Sequence, residues 1–148
     1  MKIEVYNDEY FMKQAMREAE KAYAEDEVPV GAVIVSNKKI IGRGHNLTER
    51  LVDVTAHAEI QAITAASGYL GAKYLKDCTL YVTLEPCPMC AGALFWSQIG
   101  KVIYAAADPK RGFLNNGGRL HPTTVMEKGP MEEEASIMLR TYFASKRL

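Results

Sequence analysis

Two short runs, His57-Ala-Glu59 and Pro86-Cys-Pro-Met-Cys90, constrain this chain more than any other feature of it. Cys87 and Cys90 are three apart, a spacing that puts both side chains on one face of a helical turn, so two thiolates can converge on one ion. The start of a helix favours negative charge, which lowers thiol pKa and helps both sulfurs ionise. His57, on a different predicted helix, completes three protein ligands. Three ligands rather than four is the pattern of a catalytic zinc, because the fourth position stays open to water and the metal brings that water's pKa toward ~7. Glu59 follows two residues after His57, close enough to take the water proton without entering the coordination sphere.

Composition narrows the setting. At 148 residues the chain fits one domain, expected over 1–148, with enough length to bury a core. Hydrophobic residues at 48% and charged residues at 24% exclude disordered and fibrous classes. No apolar run approaches the ~20 residues of a membrane helix, and the first ten residues have no apolar signal-peptide region, so the expected location is the cytoplasm and no membrane partner is expected. Lys plus Arg equals Asp plus Glu at 18 each; global charge therefore gives no support for gripping nucleic acid, and only a local basic patch could supply it.

No repeat, low-complexity tract or linker divides the chain. Phe11, Ala15, Ala19 and Ala22 recur at helical spacing and predict a helix over Asp8–Glu25, capped by Asp8. Val30–Val35 reads as a buried strand, paired through the polar turn 36–39 with a second strand over Ile40–Gly44. After a polar loop, Thr55 is the expected cap of a helix from Ala56 to about Ser67, stopped by Gly68. Strands are predicted over Thr79–Leu84 and Lys101–Ala105, with a helix over Pro88–Ser97 between them. Residues 108–122, broken by glycines and prolines, read as a loop. The last helix is expected from Met131 to near Arg147. Interleaved helices and strands argue for a three-layer α/β/α domain.

Two other readings of the cysteine pair compete. A redox dithiol can also follow a strand and precede a helix, but it has no need of His57-Ala-Glu59. A structural zinc would want a fourth ligand, and Cys78, at the edge of a predicted strand, reads as a small core residue. The combination H-x-E with P-C-x-x-C is the signature of zinc-dependent nucleobase deaminases.

At these residues the chain resembles the cytidine and deoxycytidylate deaminase superfamily. The blocks around E27-V-P-V-G-A-V-I-V35, T55-A-H-A-E-I-Q-A62 and T79-L-Y-V-T-L-E-P-C-P-M-C-A-G92 resemble its bacterial tRNA-specific adenosine deaminase branch. The resemblance implies a cytidine-deaminase-like domain with a five-stranded mixed sheet, one Zn2+ per subunit and a homodimer. It implies hydrolytic conversion of adenosine to inosine at the wobble position, in a base flipped out of the tRNA anticodon loop. It further implies that Asn46 contacts the target nucleoside, that the Ala58 backbone N–H faces the reacting end of the base, that Leu84, Glu85 and Pro86 wall the pocket, and that Asp108 touches a neighbouring ribose.

Two departures stand out. Where the relatives commonly carry Asn-x-Pro after the second strand, this chain has Asn46-Leu47-Thr48, and its stretch from Phe113 to Pro122 is shorter than theirs. Lys110, Arg111 and Arg119 near Asp108 read either as phosphate contacts or as a solvated loop. His45 and His121 are open between facing substrate and an ordinary surface place. Tyr142 and Phe143 are open between stacking a base and packing on the sheet. The alternative function is deamination of a free base or nucleoside such as guanine or cytosine. An idle RNA-binding relative would have no use for Glu59.

Overall fold

The computed structural model describes residues 5–146. Helix α1 (Asp8–Ala24) starts where the Asn7 side chain accepts from the Tyr10 N–H at 2.9 Å, so the cap is Asn7. Asp8, the expected cap, instead accepts from the Tyr81 hydroxyl at 2.6 Å. Strands β1 (Gly31–Ser36) and β2 (Lys39–His45) form the expected hairpin. Its Asn37 and Lys38 both take positive φ, as a two-residue turn matched to strand twist requires.

Helix α2 (Ala58–Leu70) begins two residues later than expected, with His57 at the cap position, because Asp53 engages the Thr55 hydroxyl at 2.7 Å. It passes through Gly68 and stops at Gly71, whose φ of 63° gives the left-handed turn that ends helices readily at glycine. β3 (Thr79–Leu84), α3 (Pro88–Ser97) and β4 (Lys101–Ala106) follow the sequence reading. The stretch read as loop contains a four-residue helix, α4 (Phe113–Asn116).

A fifth strand, β5 (Val125–Lys128), lies on the sheet edge; its four largely exposed residues carry no alternation by which a strand could be read. Helix α5 (Glu132–Ser145) closes the fold, and the expected closing Arg147 lies outside the described residues.

The sheet order is β2-β1-β3-β4-β5. β1 runs antiparallel to both β2 and β3, while β3, β4 and β5 are parallel, so the sheet is mixed. One face carries α2 and packs Ala58, Ala62, Leu80 and Leu94; the other carries α1 and α5 and packs Phe11, Met12, Tyr81 and Ala135. α2 lies close on β2 because the contact is glycine against alanine. A Cβ on Gly44 would sit 2.3 Å from the Ala58 carbonyl oxygen, and one on Gly42 2.5 Å from that of Ala62.

Two antiparallel steps separate β2 from β3, so β2, β3 and β4 all end at one edge of the sheet, where β1 begins. Carboxyl ends of strands in open α/β sheets are where ligands settle. Among the described residues no helix is long and apolar enough to cross a membrane.

Candidate active site

At that edge lies a cavity of about 520 Å³, within the range of small-molecule sites. The segments that converge on it follow from the topology. Val28 and Val30 precede β1, Asn46 and Thr48 follow β2, His57 to Glu59 open α2, Leu84 ends β3 with Glu85 and Cys87 following it, and Asp108, Lys110 and Arg111 follow β4. Leu139 and Phe143 of α5 complete the wall.

His57 and Cys87 occupy the same place at the starts of α2 and α3, each an extended residue immediately before the first helical turn. The donor atoms of His57, Cys87 and Cys90 lie within 4.8 Å of one another. Both sulfurs stand 3.6 Å from His57 Nδ1. Tetrahedral zinc with ordinary Zn–S and Zn–N bonds would separate a sulfur from a nitrogen by about 3.5 Å. Two soft sulfurs and one imidazole at this spacing therefore fit a single Zn2+, with Nδ1 as the imidazole donor. Cys78 is buried in the core cluster and, among the described residues, belongs to no such group.

The charges respond to one another. A hydrogen bond from Cys90 holds the Cys87 thiol at about 4, with His57 adding to the effect against burial. The same sulfur pairing, with burial, pushes Cys90 upward. His57 is raised, first by its hydrogen bond with Cys87. Burial pushes the Glu59 carboxyl up to about 7, with the nearby Cys87 charge adding to it. Glu59 lines the cavity yet is only 4% exposed. A carboxyl in such a place can exchange protons near neutral pH.

Of the residues singled out from sequence, Asn46, Ala58, Leu84, Glu85, Asp108, Lys110 and Arg111 line the cavity, whereas Pro86 and Arg119 are not among its lining residues. Arg119 lies over the Phe95 ring at 5.1 Å, and His121 packs beside the same ring at 5.6 Å. His45 is engaged by Glu18 and Glu25. Tyr142 is buried and donates to the Asp26 carbonyl, while Phe143 reaches the cavity.

Sequence reasoning missed Glu27. It is 1% exposed and accepts from the Glu49 and Arg50 N–H groups at 3.0 and 2.8 Å, fixing the loop that carries Thr48. Its position beside the apolar block Val28–Val35 was the available signal, but nothing in that block reveals which backbone a carboxylate will meet. Val28 and Leu139 were missed because an apolar cavity wall and an apolar core look alike in sequence.

Comparison with known proteins shows the family. The family model of the cytidine and deoxycytidylate deaminase zinc-binding region matches residues 5–106. The chain is 47% identical over 144 residues to a tRNA-specific adenosine deaminase of Aquifex aeolicus (strain VF5), covering 94% of this chain and 95% of that one. A solved structure from work on A-to-I editing by tRNA:A34 deaminases at the wobble position of transfer RNA superposes with a TM-score of 0.81 at 42% identity, covering 88% of this chain and 99% of that one. A guanine deaminase from Bacillus subtilis superposes with a TM-score of 0.66 at 46% identity, over 68% of this chain and 65% of that one. The chain belongs to the cytidine and deoxycytidylate deaminase family.

Proposed function

We propose that this chain hydrolyses the wobble adenosine of a tRNA anticodon loop to inosine. The observation that carries the reading is the cavity: about 520 Å³, room for a base with its ribose, with His57, Cys87 and a buried Glu59 on its wall. The relatives named for tRNA give the substrate class.

When bound, zinc held by His57, Cys87 and Cys90 supplies Lewis acidity that makes water a nucleophile near neutral pH. Glu59 takes one proton of the water and delivers it to the ring nitrogen as the carbon–oxygen bond forms, then takes the remaining hydroxyl proton and delivers it to the amine as the carbon–nitrogen bond breaks. Water and adenosine thus become inosine and ammonia. Asn46 has its Oδ1 engaged by the Thr48 N–H at 3.2 Å, which leaves its Nδ2–H groups for an acceptor on the bound nucleoside. The Ala58 N–H, at the first residue of α2, faces the reacting end of the base. Leu84 and Phe143 exclude water. Asp108 meets a neighbouring ribose, and Lys110 and Arg111 meet phosphates, the local basic patch that a net charge of zero otherwise denies.

The working unit is a homodimer in the cytoplasm, the chain acting as one domain over 1–148. Met89 and Trp96 are seven apart on one face of α3 and are 37% and 76% exposed; Leu114 of the adjoining α4 is 57% exposed. Such a stripe is suited to a subunit contact.

The likeness to a guanine deaminase favours a second reading, deamination of a free base. Purified enzyme offered an anticodon stem-loop with wobble adenosine, and separately free guanine, cytosine and adenosine, separates the two. Conversion of the stem-loop is expected; conversion of free compounds alone would establish the second reading and sink the first.

A further inference from the structure

Glu85 follows β3 directly and is 5% exposed. Its carboxylate is engaged by backbone on both sides. Oε1 accepts from the Asp108 N–H at 3.0 Å and Oε2 from the Leu114 N–H at 3.0 Å. Those two amides bracket the segment that brings Asp108, Lys110 and Arg111 to the cavity.

The bracket is tightened from within. The Gly112 N–H donates to the Asp108 carbonyl at 2.7 Å, and the Phe113 N–H to the Pro86 carbonyl at 2.9 Å. Gly112 lies against the carboxylate so closely that a Cβ there would stand 2.0 Å from Glu85 Oε2. A residue that only walled a cavity would gain nothing from a buried carboxylate, since burying one costs free energy unless its oxygens are matched. Here both are matched, and by one short segment that runs from Asp108 into α4.

We propose that Glu85 is a positioning residue whose buried carboxylate holds residues 108–114 as a preformed jaw. It sets Asp108, Lys110 and Arg111 against the nucleotides flanking the reacting base. This rests on the RNA reading of the cavity for its consequence, though not for its geometry. A jaw ordered in advance removes an ordering cost from binding and leaves the chemical step alone, so its loss acts on KM.

In Glu85→Gln one oxygen acceptor becomes an NH2 donor, so one of the two N–H groups is left facing a donor. KM and Kd for a wobble-adenosine stem-loop are expected to rise roughly tenfold, kcat to stay within about twofold, and zinc per chain to be unchanged. Gly112→Ala pushes on the same carboxylate from the loop side. It should give the same split, and the double variant should fall well short of the sum of the two effects.

In the unaltered protein the Asp108 and Leu114 amides should exchange slowly with solvent deuterium, although Asp108 lies in a loop and Leu114 in the first turn of the short α4, where no intrahelical acceptor exists for its N–H. Free exchange at both amides would overturn the proposal whether or not either variant folds. So would an Glu85→Gln enzyme whose KM is unmoved, or one that loses zinc or kcat instead. If the unaltered enzyme ignores the stem-loop, the RNA reading has failed, and the exchange measurement still decides whether the clamp exists.

Discussion

Glu59 bears the heaviest chemical demand of any single side chain here, since one carboxyl must accept and return a proton within one turnover. Its burial and its carboxyl near 7 suit that work. Glu59→Gln keeps the shape and removes the proton acceptor. Zinc content should stay at one per chain while kcat falls by roughly 10²–10⁴. Cys87→Ala should do the reverse first, losing zinc by elemental analysis. Undiminished turnover in the first variant, or undiminished zinc in the second, would refute the roles given to them. These residues were legible in the sequence because metal ligation and proton transfer demand fixed residue types at fixed spacing. Glu27 and Glu85 were not legible as clamps, because the partner of each is loop backbone brought there by the fold, and backbone N–H groups leave no mark on residue identity.

Among the elements, α1 and β2 are joined by a polar seam on the face away from α2. Glu18 of α1 is 3% exposed and bonds Lys21 at 2.9 Å, Arg43 at 3.2 Å and His45 at 3.4 Å. Burial alone would raise its carboxyl, but Lys21, then Arg43 and His45, outweigh burial and hold it below the ordinary 4.5. A depressed carboxyl stabilises the fold fully above its unfolded value and loses that contribution as pH falls through the folded value. Glu18→Gln should therefore destabilise by about 1–2 kcal/mol at pH 7, given that Lys21 and Arg43 are partly exposed. In urea melts the gap between the two proteins should narrow as pH drops below 4.5. A gap that stays constant down to acid pH would contradict this account of the seam. His45, open in the sequence between substrate and surface, is part of it because the ring stands between Glu18 and Glu25.

At the scale of the whole molecule, the three layers were readable from interleaved periodicities, and four of the five strands from apolar β-branched runs. β5 escaped because an exposed, four-residue edge strand buries too little to pattern its sequence. The cavity's position was not readable at all before topology was known, since it depends on three strands ending at one edge. The proposed dimer makes a further demand. Trp96→Glu on the exposed stripe of α3 should shift sedimentation from dimer to monomer without loss of zinc, and an unaltered sedimentation coefficient would move the subunit contact elsewhere.

In the proposed reaction this chain replaces the amine of a wobble adenosine with an oxygen from water. Turnover of an anticodon stem-loop in ¹⁸O-labelled water, followed by mass spectrometry of the released nucleosides, tests it directly. Inosine is expected from that one position, carrying a single solvent oxygen, with ammonia released in equal amount. A stem-loop recovered with its adenosine intact, from enzyme that deaminates free guanine under the same conditions, would contradict it.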